Sequence, residues 1–224
     1  MPNFRRVDIG DSTLYLGNCF DVLSEVGPVH AVITDPPYGI TTGIVSDRPT
    51  KWQRRAGAKT ERWDDQATEN LSDLLDIGKH QVVWGGNYYP LPPSRCWLSW
   101  FKPDAPPSMA QFELAWTNMD KNARQISCSI SATNAERVGH PTQKPLPVML
   151  WTINLVKPES VFDPFMGSGT TGVACAKMGK RFVGCEINER YFDMACRRIE
   201  QAYRQADLFV ASAPVSKPIQ TSLI

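Results

Sequence analysis

Asp35-Pro36-Pro37-Tyr38-Gly39 places a carboxylate, a backbone carbonyl and an aromatic ring within four residues. The two prolines fix φ and remove N–H donors that would compete for those acceptors. Asp35 and the Pro36 carbonyl can each accept one N–H from an exocyclic amine on a planar ring, and Tyr38 can stack on that ring. Two such acceptors draw the amine toward tetrahedral geometry. Its lone pair, otherwise delocalised into the ring, is then free to attack an electrophile. Taken alone, the same residues also make an ordinary turn.

A second constellation runs from Asp163 to Gly172, Asp-Pro-Phe-Met-Gly-Ser-Gly-Thr-Thr-Gly. Gly167, Gly169 and Gly172 follow an apolar run and precede a helical pattern. Glycines let a ligand approach the backbone, and a helix N-terminus favours an anionic group. Fourteen residues after Gly172 the next apolar run ends at Glu186, a carboxylate suited to a ribose diol. Together they read as a nucleoside-cofactor pocket, with a dinucleotide open on the glycines alone. No Lys follows Gly169, which excludes a phosphate-cradling Walker loop.

These groups need strands that end where they begin. Val29–Thr34 is apolar and β-branched and stops at the prolines, so it reads as a buried strand. Strands are also expected at 12–16, 81–84, 96–101, 112–117, 161–162 and 181–186. Helices are expected near 21–23, around Leu71, Leu74, Leu75 and Ile77, and over 147–155, 170–178 and 191–203. Alternating strands and helices predict an α/β fold with a mostly parallel sheet and sites at the carboxyl ends of strands. Residues 1–209 read as one domain, and 210–224 as a loose tail with no period.

The 224 residues carry 24 Lys+Arg against 23 Asp+Glu, a net charge of +1, which excludes a polybasic coat. The balance is local instead. Arg48, Lys51, Arg54, Arg55, Lys59 and Arg62 share the 48–62 stretch with one acid, Glu61, giving +5 directly after the Asp35 turn. Six cysteines include no Cys-x-x-Cys pair, and three scattered histidines form no metal pattern, so no metal site is expected. No secretory leader or membrane-length apolar run is present, so a cytoplasmic setting with reduced thiols is expected.

The two motifs in this order, Asp-Pro-Pro-Tyr before the glycine loop, resemble the beta class of DNA amino-methyltransferases, many from phage or restriction–modification systems. Supporting segments are His140-Pro141-Thr142-Gln143-Lys144-Pro145, Val161 to Thr171, Leu16 to Leu23 and Val83 to Tyr89. The resemblance covers most of 12–204 and is weakest at 40–66 and 118–139. It implies a Rossmann-like, circularly permuted methyltransferase fold with a terminal antiparallel strand, and S-adenosylmethionine as cofactor. Asp35, Pro36, Pro37 and Tyr38 would be catalytic. Phe165, Gly167, Ser168, Gly169 and Thr170 would hold the cofactor's methionine part and Glu186 its ribose. Asn18 and Cys19 would face its adenine, with Asn18 where relatives often carry Asp. Asp163 would order the glycine loop, and the segment holding His140 and Lys144 would close the pocket. Asp at 35, where some relatives have Ser, favours the 6-amino group of adenine over the 4-amino group of cytosine.

A base inside a duplex must be flipped out to reach such a turn. Double-stranded DNA is therefore the expected partner, with 40–66 as the contact insertion through Arg48, Lys51, Arg54, Arg55, Lys59 and Arg62, and Asn118, Lys121, Asn122 and Arg124 as a second surface. Gln205-Ala206-Asp207-Leu208-Phe209 is similar to the peptide by which bacterial proteins dock on the replication sliding clamp. Packing of Leu208 and Phe209 at the helix end on the core is the reading favoured over docking. A monomer or a homodimer is compatible with the sequence. Three rivals differ in class: an inactive cofactor- or DNA-binding relic, a nucleotide-dependent oxidoreductase, and a methyltransferase on RNA or on protein glutamine. The intact Asp35 turn argues against the first two, and the motif order argues against the glutamine enzymes.

Overall fold

A computed structural model describes residues 3–39, 68–131 and 143–211, of which 206–211 are described by backbone alone. In chain order the elements are β1 (Arg5–Ile9), β2 (Ser12–Leu16), α1 (Leu23–Val26), β3 (Val29–Thr34), α2 (Leu71–Leu75), β4 (Gly78–Trp84), a 3-10 turn (Gly86–Tyr88), β5 (Leu98–Phe101), β6 (Phe112–Thr117), β7 (Arg124–Ser127), α3 (Leu146–Val156), β8 (Ser160–Asp163), α4 (Thr170–Lys177), β9 (Arg181–Glu186) and α5 (Glu189–Ala211).

One nine-stranded sheet runs in the order β1-β2-β9-β8-β3-β4-β6-β5-β7. The central strands β2, β9, β8, β3 and β4 are mutually parallel. Because both faces of a parallel sheet are covered, such strands read as continuous apolar runs. Successive side chains of β3 show this: Ala31 and Ile33 join the core beneath α3, α4 and α5, while Val32 joins the core beneath α1 and α2. Antiparallel pairing occurs in two places, β1 on β2 and β6 between β4 and β5, which is more than the single terminal strand expected.

The elements expected from the sequence are present with small shifts at their ends, and α5 runs eight residues past its expected stop. The two outermost strands, β1 and β7, were not expected. Their sequences, Arg-Arg-Val-Asp-Ile and Arg-Gln-Ile-Ser, are largely exposed and polar. Charged, short edge strands are how sheets avoid pairing with other chains, and that same composition hides them from a hydrophobic pattern.

The strand order puts the motifs together. β8 pairs with both β3 and β9, and β9 with β2. Their carboxyl ends therefore lie side by side, at Leu16, Glu186, Asp163 and Thr34. Antiparallel β6 contributes from its start: Ala115 lies opposite Trp84 at the end of β4, so Glu113 sits two residues further toward the same mouth.

Candidate active site

A cavity of about 810 Å³ opens at these strand ends, within the ~300–1,000 Å³ range of small-molecule sites. The glycine turn, Glu186, the Asp35 turn and the Lys144 segment all line it.

On one side the chain offers backbone. Gly169 caps α4 at φ 79°, a left-handed conformation that favours glycine, and a Cβ there would lie 2.8 Å from the Ala195 Cβ. Glu186 accepts from the Gly167 N–H at 2.9 Å and from the Asn188 N–H at 2.8 Å. Burial pushes its pKa up, opposed by these backbone bonds. One bond on each oxygen leaves a further lone pair on each for a diol. Asp163 ties the turn down: it accepts from Thr34 Oγ1 at 2.9 Å, the Phe165 N–H at 3.2 Å and Thr171 Oγ1 at 2.6 Å. Burial pushes its pKa up to about 7 despite those bonds. Asn18 spends an Oδ1 lone pair on the Phe20 N–H at 3.0 Å. Ser168 and Thr170 lie 3.0 and 3.3 Å from the Arg198 guanidinium. Cys19 is buried, which raises its pKa to about 11 and makes it a neutral wall.

The opposite side is built from side chains. The Tyr38 hydroxyl donates to Asp35 Oδ1, and its ring stacks on Tyr88 at 4.9 Å between centroids. The Tyr89 hydroxyl donates to the Pro37 carbonyl. Tyr38 is thus anchored at ring and hydroxyl alike, where the sequence suggested an open stacking surface. Gly85, at φ 70°, is required because a Cβ there would fall on the Tyr38 ring. Lys144 was expected to close the cofactor pocket. Its ammonium lies 3.1 Å from Asp35 Oδ2 and 2.6 Å from Glu113 Oε2, at the Asp35 end of that same cavity. Glu113 also pairs with Lys102 at 2.6 Å. Burial alone would push Glu113 up, but Lys144 and Lys102 hold it down at about 2. Burial raises Asp35, with Lys144 opposing. Burial likewise pushes the Tyr38 hydroxyl far up, so it stays a donor.

Lys102 and Glu113 were missed because nothing links residues 102, 113 and 144 in sequence until β6 pairs antiparallel with β4. Phe20 and Ile187, exposed apolar residues that line the cavity, were also missed; each directly follows a residue already singled out. His140 and the basic residues Arg48, Lys51, Arg54, Arg55, Lys59 and Arg62 lie outside the described residues, as do most of the tail. The second expected DNA surface does not face the cavity. Asn118 binds the backbone of Gln81 and Lys79, and Asn122 binds Arg95, both toward the amino ends of the parallel strands. Gln205 to Phe209 form part of α5, where Gln205 lies 3.5 Å from Lys177. Among the described residues, no helix is long and apolar enough to cross a membrane.

The Type II methyltransferase M2.MboI of Moraxella bovis is 24% identical over 242 residues, spanning 84% of this chain and 87% of that protein. The Type II methyltransferase M2.DpnII of Streptococcus pneumoniae is 42% identical over 64 residues, 27% of this chain and 24% of that protein. Two solved structures share the fold. The M1.HpyAVI–SAM complex has a TM-score of 0.57 at 23% identity, covering 84% of this chain and 99% of that one. The cytosine-N4-specific PvuII DNA methyltransferase has a TM-score of 0.50 at 17% identity, covering 88% and 93%. The DNA methylase family model matches residues 79–197, more than half of the sequence and including both the Lys144 segment and the glycine turn, and the chain belongs to that family of N6/N4 DNA methylases.

Proposed function

We propose that this chain transfers a methyl group from S-adenosylmethionine to the 6-amino group of a flipped-out adenine in double-stranded DNA. The carrying observation is that Asp35 and Glu186 open on one cavity from the ends of β3 and β9, strands separated only by β8. One carboxylate suits an amine and the other a ribose. The cofactor fits the residues present: Glu186 keeps acceptor capacity, Gly167 lines the cavity without a side chain, and Phe20 and Ile187 offer apolar surface to a purine. Asp163 and Glu186 also line the cavity, and an ionised carboxylate there suits a sulfonium cation.

When bound, S-adenosylmethionine supplies an electrophilic methyl. The chain's own groups do the rest. Asp35 accepts an N–H of the target amine and, with the Pro36 carbonyl, turns its lone pair toward the methyl. The Tyr38–Tyr88 stack fixes the wall beside the base. No covalent intermediate is required, so positioning carries most of the rate. After transfer the methylated amine loses one proton, which Asp35 can accept and pass to water.

Asp at 35 supports adenine, and cytosine N4 is the second reading because both amines fit the same chemistry. The basic stretch 48–62, directly after the Asp35 turn, is the proposed phosphate contact, within a single catalytic domain spanning 1–209. The test is incubation of the purified protein with unmethylated DNA of varied sequence and methyl-labelled S-adenosylmethionine. Nucleoside mass spectrometry and single-molecule sequencing then read the product. N6-methyladenine at a short recurrent site is expected. N4-methylcytosine would overturn the adenine assignment, and absence of label in any DNA would overturn the DNA reading.

A further inference from the structure

Lys102, Glu113, Lys144 and Asp35 form a chain of alternating charge reaching from the β5–β6 hairpin to the Asp35 turn. Its links are 2.6, 2.6 and 3.1 Å. Each lysine also lies over a tryptophan face, Lys102 over Trp100 at 4.6 Å and Lys144 over Trp84 at 5.2 Å. Only 6% and 8% of the two lysine side chains are exposed. Burying such a lysine costs more than an apolar residue of the same size and rarely adds stability. A cation beside the reacting carboxylate therefore calls for a functional account.

The geometry supplies one. Asp35 Oδ1 receives the Tyr38 hydroxyl and Oδ2 receives Lys144, so the plane of the carboxylate is fixed from both ends. An ionised carboxylate has about four acceptor sites, so capacity remains for the amine. A protonated Asp35 would turn one oxygen into a donor and repel the amine hydrogen. Lys144 is itself steered: one proton goes to Asp35 and one to Glu113, whose other oxygen is occupied by Lys102.

We propose that Lys144 is a positioning residue that keeps Asp35 charged and correctly turned to accept the substrate amine, with Glu113 and Lys102 holding Lys144 in place. The proposal rests on Asp35 being the amine acceptor, as put forward above. The described groups that act on Asp35 are Tyr38 from its own turn, Lys144 from the segment before α3, Glu113 from β6, and Asp163 from the end of β8. Lys144 favours the charged form, and Glu113 disfavours it. Removing each charge must therefore move Asp35 in opposite directions.

The test follows the Asp35 carboxyl carbon by NMR in protein labelled at aspartate Cγ, with Asp35→Asn used for assignment. In Lys144→Met the Asp35 midpoint should rise by about one pH unit or more. In Lys144→Arg it should return toward wild type, and in Glu113→Gln it should fall. Single-turnover methylation of DNA should show its acidic limb moving the same way in each variant, with Lys144→Met recovering activity as pH rises. An unmoved midpoint in Lys144→Met overturns the proposal, as does a fall in rate that is the same at every pH. Should Lys144→Met not fold, Glu113→Gln decides it beside Lys144→Arg: the midpoint should fall in the first and stay near wild type in the second, and a rise or no movement in Glu113→Gln overturns the proposal. If the midpoints move as expected while wild type labels no DNA, the methylation reading fails, and only the control of Asp35's charge by Lys144 stands.

Discussion

Around Glu186 the cavity wall is made of backbone: N–H groups of Gly167 and Asn188, a left-handed turn at Gly167, and a helix that starts at Thr170. Around Asp35 it is made of side chains: two tyrosines in a stack, two buried lysines and two carboxylates. The first wall needs only a strand, a tight turn and a helix in succession. The second is closed only when β6 comes back antiparallel onto β4 and Lys144, from the segment before α3, meets Glu113 and Asp35. One wall suits a ligand bound in the same pose every cycle. The other holds charges in fixed opposition, which suits a step in which charge develops.

Asp35→Ala gives the largest contrast between the two. Loss of one preorganised polar contact to a transition state commonly costs ~10²–10³ in rate, and a fall of that size is expected in single-turnover methylation. S-adenosylmethionine affinity, read by calorimetry, should stay within about twofold, since Asp35 makes none of the bonds that fix Gly167 or Glu186. A loss of affinity as large as the loss of rate would show that the walls are not separable.

A pair of glycine variants probes the same division with smaller effects. In Gly85→Ala the new methyl displaces the Tyr38 ring from Tyr88 and from Asp35. Positive φ adds strain of ~1–3 kcal/mol. Methylation at saturating cofactor should fall roughly tenfold, equivalent to about 1.4 kcal/mol of lost transition-state stabilisation, with cofactor affinity retained. In Gly169→Ala the methyl meets Ala195, moving α4 against α5. Cofactor affinity should fall by about tenfold, with rate at saturation largely retained. Exchange of these two outcomes would invert the assignment of the walls.

The backbone wall was legible in the sequence because it is local. Gly167, Gly169 and Glu186 lie within twenty residues, and glycine spacing states its conformational requirement directly. The Asp35 turn was legible for the same reason, since Pro36 and Pro37 announce a rigid end to a buried strand. Lys144 and Asp35 were singled out, but Glu113, which joins Lys144 to Lys102, was not. The pairing of Lys144 with Glu113 depends on a strand order in which β6 lies between β4 and β5, and neither composition nor spacing encodes that order. Tyr38 stood out as an aromatic at the right place, while Tyr88, fifty residues on, offered no local sign of being its stacking partner.

Asp163 joins the walls, and its titration offers a subtler test. In the unfolded chain it titrates near the ordinary value of 3.8, and in the folded protein burial raises it to about 7. The folded state therefore holds the proton more tightly. The resulting stabilisation is fully present below about pH 4 and is lost as pH rises through about 7. Relative to Asp163→Asn, which cannot titrate, wild type should lose ~1–3 kcal/mol of unfolding free energy between about pH 4 and pH 8, measured by urea denaturation. A difference that is constant with pH would mean that the bonds from Thr34, Thr171 and Phe165 offset burial and keep Asp163 ionised.

The smallest effect is expected at a charge pair of similar length in a different setting. Arg95 lies 3.0 Å from Asp120 and 3.0 Å from the Asn122 side chain, but 65% and 86% of the Arg95 and Asp120 side chains are exposed. Water screens such a pair, so Arg95→Ala should change stability by no more than ~0.5 kcal/mol. It should also leave methylation unchanged, because Arg95, Asp120 and Asn122 lie toward the amino ends of the parallel strands, away from the cavity. If the rate or the salt dependence of DNA binding falls in this variant, residues 118–124 do touch the duplex, and charge outside the Asp35 wall also governs catalysis. If neither falls, distance alone does not make an ion pair matter in this fold. What distinguishes Lys144 from Arg95 is then exclusion from water beside a group that reacts.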